Sequence, residues 1–198
     1  MSPANSFSGS QTSDVARALR TLYFVRAAFA LVWAGLLAAH LPALTPLLLL
    51  LYPTWDVATT FADLRATRRL GRHTGLGATG PRYLNIVIGL ATSVAVAAAL
   101  QQGTPAVLQV FGAWAVLTGL IQLALGWRRH RTVGGQWPMM LSGGQSALAG
   151  ATFVALAHTP SLGLQNLIGY AAFGAFYFLL AALRVRAALP ATAAAAAA

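Results

Sequence analysis

The sequence predicts an all-α membrane protein: six transmembrane helices arranged as three pseudo-repeated parallel helical hairpins. Three observations carry that expectation. Of 198 residues, 58% are hydrophobic and only 8% charged, whereas a soluble domain carries about 25% charged residues to cover its surface. Two long stretches, Tyr83–Trp127 and Thr132–Leu183, contain no Asp, Glu, Lys or Arg at all. Every basic residue is an arginine, and the arginines cluster between the apolar runs.

Each charge-free stretch is too long for one crossing, which takes about 20 residues, and each has a turn signal near its middle. The signals are Gln101-Gln102-Gly103-Thr104-Pro105 and His158-Thr159-Pro160-Ser161. The amino-terminal run Leu22–Ala62 folds back at His40-Leu41-Pro42. The spans are therefore expected at about 22–40, 43–62, 83–101, 106–127, 138–157 and 164–184. Residues 1–16 read as a disordered lead-in, 17–187 as the transmembrane domain and 188–198 as an alanine-rich tail. Leu22–His40 is longer than a signal-peptide core and reads as a retained span.

Positive charge marks the cytoplasmic side of a membrane protein. Arg17, Arg20 and Arg26 sit at the start of span one, and Arg65, Arg68, Arg69, Arg72 and Arg82 lie between spans two and three. Arg128, Arg129 and Arg131 join spans four and five, and Arg184 and Arg186 follow span six. All thirteen fall on one side, so both termini are expected in the cytoplasm, with the chain in a bacterial inner (plasma) membrane. The net charge of +10 would suggest nucleic acid in a soluble chain. Here the arginines form no stripe with interleaved aromatics, so no nucleic-acid partner is expected. Membrane lipids are: Arg65, Arg68, Arg69, Arg128, Arg129 and Arg131 are candidate contacts for anionic headgroups.

The spans resemble one another. An offset of 59 aligns Trp55 with Trp114, Val57 with Val116, Thr59 with Thr118 and Leu64 with Leu123; an offset of 54 aligns Tyr83 with Trp137, Gly89 with Gly143 and Ala97 with Ala151. The unit is a hairpin that starts and ends on the cytoplasmic side, so the repeats are parallel. Small residues at spacing four, such as Ser142-Ser146-Gly150, Gly89-Ser93-Ala97 and Ala115-Gly119, permit close helix approach in lipid. They serve packing within the bundle or the face of a homo-oligomer.

The second and third hairpins are similar to a known family. Trp114-Ala115-Val116-Leu117-Thr118-Gly119-Leu120-Ile121-Gln122-Leu123 with Arg128-Arg129, then Trp137, Leu141-Ser142-Gly143, Leu148-Ala149-Gly150, Gly169-Tyr170 and Arg184-Val185-Arg186, resemble the repeat of the HdeD-like six-span bacterial membrane proteins. The resemblance covers about 83–186; hairpin one departs from it at Tyr52-Pro53-Thr54-Trp55-Asp56. It implies an inner-membrane protein linked to acid resistance or stress response, with no established catalytic or transport mechanism.

Few residues are equipped for chemistry. There is no cysteine and there are only three acids, Asp14, Asp56 and Asp63, so no metal site, cofactor or enzymatic activity is expected. Gly75-Leu76-Gly77-Ala78-Thr79-Gly80 matches a dinucleotide-binding pattern by letter but lacks the strand before it that such a site needs. Asp56 lies at the same distance from the first turn as Arg26, so the two are expected to pair, because intramembrane charges are costly alone. Pro53 leaves the carbonyl of Leu49 without its helical donor beside that acid. Asp56 then reads either as a structural ion pair or, with Asn85, Gln122 and Gln145, as a polar path for protons or a small solute. Asp63 reads as a solvated interfacial charge. His40 and His158 fall in the outer turns, where isolated histidines read as polar caps of helix ends.

Overall fold

The computed structural model describes the backbone of residues 3–70, 80–131 and 133–187, and side chains over 14, 16–65, 80–131 and 135–185. Six helices and a two-residue ladder make up these described residues: α1 Pro3–Ala38, α2 Thr45–Leu70, α3 Gly80–Ala99, α4 Thr104–Arg129, β1 Val133–Gly134, α5 Trp137–Leu156, α6 Gln165–Arg184 and β2 Arg186–Ala187. The side chains of Arg68 and Arg69, the glycine-rich residues 75–79 and the alanine-rich tail lie outside the described residues.

The turns form where the sequence places them. Gly103 at φ 98° opens α4, in the left-handed region where glycine carries no Cβ penalty, and Pro105 follows in the first helical turn, where its missing N–H costs nothing. Five segments are long and apolar enough to cross a membrane: Ala16–Ala38, Gly80–Ala99, Thr104–Arg129, Trp137–Leu156 and Gln165–Arg184. This is the pattern of a multi-pass membrane protein, and its outer surface agrees. Val94 and Leu148 are each 73% exposed, and apolar side chains crowd the outside of every apolar helix, a surface that water would not tolerate over such an area. The middle of α2, around Tyr52, Pro53, Thr54, Trp55 and Asp56, is too polar for it to join the five.

Two features differ from expectation. The polar lead-in is helical from Pro3, because extending a helix already nucleated by the apolar segment costs little per residue. The loop after α4 forms an antiparallel ladder with the chain after α6, pairing Val133 with Ala187 and Gly134 with Arg186. Gly135, at φ 76°, turns the chain hard against the Arg184 carbonyl at that point.

Each helix packs on its neighbours in sequence, and α6 returns to pack on α1, closing a ring. The two helices of each expected hairpin do touch, but the closest packings are α4 on α5, α1 on α6 and α2 on α3. A glycine seam explains the first. A Cβ on Gly119 would stand 2.6 Å from the Gly143 carbonyl oxygen, and one on Gly143 would stand 2.6 Å from that of Gly119. Gly112 and Gly150 meet in the same reciprocal way one heptad along. Gly112, Gly119, Gly143 and Gly150 are thus spent on intramolecular packing. At the end bearing the short turns, Trp33, Leu49, Val96, Leu108, Phe111 and Leu167 form an apolar core. At the opposite, arginine-rich end, Leu19, Tyr23, Met139, Ala181 and Ala182 form a smaller one.

Gly143→Leu drives a side chain into the backbone of α4, which no rotamer relieves. It is expected to cost on the order of 1–3 kcal/mol or more, read as a lower thermal midpoint in detergent by circular dichroism. Gly35→Ala, where a Cβ meets nothing within 4 Å, should hold or slightly raise the midpoint, since Ala is the better helix former by about 1 kcal/mol. Equal midpoints for the two variants would refute the seam.

A polar cavity inside the helical ring as the candidate functional site

Between the two apolar cores lies a cavity of about 430 Å³ to which all six helices contribute. Its most polar wall belongs to α2. Asp56 Oδ1 stands 3.2 Å from Arg26 Nη1 of α1, and its Oδ2 accepts a 2.7 Å hydrogen bond from Asn85 Nδ2 of α3. Thr60, one helical turn beyond Asp56, accepts from Asn85 Nδ2 at 2.9 Å and from Arg26 Nη2 at 3.1 Å. Three helices are therefore joined by one network whose charges cancel. The Arg26 guanidinium also lies 5.5 Å from the centroid of the Phe178 ring on α6, a cation–π distance.

Gln122 and Gln145 face the same cavity from α4 and α5. Gln122 Nε2 donates to the Met139 carbonyl at 3.2 Å, which fixes its amide across the α4–α5 seam. On the same side Ser146 lies 2.8 Å from the Tyr170 hydroxyl and donates to the Ala115 carbonyl. The five residues singled out from the sequence, Arg26, Asp56, Asn85, Gln122 and Gln145, thus share one cavity, and Arg26 with Asp56 and Asn85 are in direct contact.

Towards the turn end, aromatic rings line the cavity. Phe29 stacks on Trp55 at 4.4 Å, Tyr52 meets Trp33 at 4.6 Å, and Trp114 stands edge-on to Tyr52 at 5.6 Å. Trp33 Nε1 donates 2.7 Å to the Leu48 carbonyl and ties α1 to α2 there. Sequence patterning missed this cluster, because the rings come from separate helices whose mutual rotation no periodicity fixes.

The arginine end corrects two expectations. Asp63 is not a solvated charge: it is 7% exposed, and its Oδ2 lies 2.9 Å from Arg82 Nε and 2.6 Å from Arg129 Nη2. Arg129, expected among the lipid contacts, is buried in this network and donates also to the Tyr23 hydroxyl at 3.4 Å. Tyr23 in turn donates to Gln136 Oε1 at 3.1 Å. Burial without a counter-charge would be prohibitive for Asp63, so α3 and α4 bring their terminal arginines inward to meet it. Part of the signal was available: counting from the turns, as for Arg26 and Asp56, places Asp63 and Arg82 close to one level, with Arg129 about one helical turn farther along. Arg65, Arg128 and Arg131 remain exposed, with the Arg65 guanidinium 4.4 Å from the Phe61 ring centroid. His158 lies in the turn end beside Gln109 at 3.3 Å, rather than in the cavity. Among the described residues no group of three metal-ligating side chains assembles.

Asp63→Asn leaves two buried guanidinium groups facing a neutral amide, and breaking a buried pair in this way costs about 3–5 kcal/mol. Asp56→Asn, whose ion-pair partner is less deeply buried, should cost less. Chemical or thermal unfolding in detergent is expected to rank the two variants in that order; the reverse order would show that the arginine-end network is not the stronger tie. No family model, no curated protein and no solved structure matches this chain.

Proposed function

We propose that the chain is a non-enzymatic, six-span protein of the bacterial inner membrane, of the HdeD-like type, that holds a small molecule within its helical ring. In this reading α2 is the sixth span, both termini are cytoplasmic, and the three hairpins are pseudo-repeats. A role in acid or stress response follows from the resemblance. Membrane lipids are its surroundings, with Arg65, Arg128 and Arg131 placed to meet anionic headgroups.

One observation carries the binding role: a cavity of ligand size, since pockets run about 300–1,000 Å³, is lined by polar side chains from several helices and flanked by an apolar cluster towards each end of the bundle. Asp56 supports retention rather than passage, because both its carboxylate oxygens are already engaged, one by Arg26 and one by Asn85. A placement for α2 inside the membrane is consistent with its polar middle, since its one charge there, Asp56, is turned to the cavity and paired with Arg26 and Asn85.

A second reading, a conduit for protons or a small solute through Asp56, is favoured by the length of the cavity, which reaches from Asn166 near the turn end to Asp63 at the arginine end. Two measurements on the full chain in liposomes separate the readings. The chain has no native cysteine, so Ser142→Cys, on the cavity wall, reports access without background. N-ethylmaleimide is expected to alkylate it far faster than Leu108→Cys, which is sealed in the apolar core; equal rates would sink the binding role. Under an imposed pH gradient, liposomes with the protein should leak protons no faster than empty ones. Flux abolished by Asp56→Asn would instead establish the conduit.

A further inference from the structure

The wall of the cavity is uneven. On α1 to α4 its lining side chains are buried or half-buried, whereas on α5 and α6 the lining residues Thr152, Gly169 and Phe173 are exposed. Phe173 is 59% exposed. Gly169 and Gly174 also line it, and a Cβ on either would meet nothing within 4 Å. The packing allows it: α5 and α6 touch each other as sparsely as α1 and α2 do, and far less than α5 touches α4 or α6 touches α1, while the α1 and α2 residues on the cavity are buried or half-buried. The cavity therefore opens sideways, through the gap between α5 and α6.

The depth of that opening identifies what lies outside it. Thr152 is about one turn from the end of α5 at Leu156, Gly169 is about one turn from the start of α6 at Gln165, and Phe173 and Gly174 lie near the middle of α6. For a helix that crosses a bilayer, these levels are in or beside the hydrocarbon. A molecule using this entrance comes from the lipid and carries an apolar chain. Deeper in, the cavity offers Ser142, Gln145 and Gln122, whose amides and hydroxyl both donate and accept hydrogen bonds. Arg26 and Asp56 already neutralise each other, and Arg129 at the arginine end of the cavity is engaged by Asp63 and Tyr23, so a charged headgroup against Gln122 and Gln145 would be buried without a free counter-ion.

Resting on the binding role above, we propose that the ligand is an uncharged amphipath taken from the bilayer. Its hydroxyl- or carbonyl-bearing head sits against Gln122, Gln145 and Ser142, and its single aliphatic chain leaves between α5 and α6. The volume of about 430 Å³ admits the head and the first part of a chain, and the rest extends into lipid through the gap at Gly169 and Gly174.

The test uses the full chain carrying Ser142→Cys in phosphatidylcholine nanodiscs, with Ala149→Cys as a second reporter on the same wall. Monoolein is expected to slow alkylation by N-ethylmaleimide at least fivefold. Oleoyl lysophosphatidylglycerol, which has the same chain and a charged head, should change the rate less than twofold. A monoolein analogue with a mid-chain diazirine should leave adducts on Thr152, Gly169 or Phe173 that excess monoolein competes away. Equal protection by the charged lipid overturns the uncharged head. Reactive cysteines without protection by monoolein overturn the lipid ligand while leaving the binding role standing. Competable adducts on other helices overturn the α5–α6 entrance. Cysteines unreactive at both positions overturn the binding role itself, and this proposal with it.

Discussion

A carboxylate withdrawn from water must find a cation or several donors, and in this bundle two carboxylates on one helix impose that demand at two levels. Asp56 recruits Arg26 from α1 and Asn85 from α3, and Asp63, two helical turns on, recruits Arg82 from α3 and Arg129 from α4. Both sets of partners come from different helices, so the rotation and the height of α2 are set together. A rotation that exposed either acid to lipid would leave up to two guanidinium groups stranded inside. The least apolar helix is thereby the one most tightly specified by electrostatics, and the cavity takes its polarity from the face that α2 presents.

The remainder of the ring is shaped by how closely backbones can approach. In lipid the gain from burying apolar side chains is small, and close packing with interhelical hydrogen bonds takes over. The glycine pairs Gly112 with Gly150 and Gly119 with Gly143 let α4 and α5 meet backbone to backbone. Gly89 does the same for α3 against Val57 and the Pro53 carbonyl of α2. No glycine seam exists between α5 and α6, where Gly169 and Gly174 look onto open space instead. The same residue type therefore draws one pair of helices together and leaves a window in another, according to what faces it.

Much of this was legible in the sequence where a single physical variable decided the outcome. Charge-free stretches and turn residues located α3 to α6 and the turn ends of α1 and α2 to within a few residues, although α1 and α2 run well past the expected spans at the arginine end, and equal distance from a turn paired Arg26 with Asp56. Legibility failed where several weak preferences competed. Asp63 sits two residues from Arg65 and reads as a local surface charge, yet its partners come from the ends of α3 and α4. The glycines of α4 and α5 meet at spacing seven, although the eye is drawn to the spacing of four. The strands Val133–Gly134 and Arg186–Ala187 are too short to carry any pattern. The aromatic contacts of Phe29, Tyr52, Trp55 and Trp114 depend on helix rotations that follow from the ion pairs rather than from apolar periodicity.

The closure of the ring by α6 on α1 has a consequence for biogenesis. A ribosome delivers α1 first and α6 last, so the helix that packs most closely on α1 is also the last to be made. Throughout synthesis α1 carries Tyr23 and Arg26 with one flank uncovered, and the α4–α5 seam, between adjacent helices joined by a short loop, can assemble before that flank is covered. Contacts between distant parts of a chain form late because the loop entropy must be overcome before they are made. Nascent α1 is thus the segment most in need of a temporary neighbour, whether lipid or insertion machinery, until the sixth helix arrives to replace it.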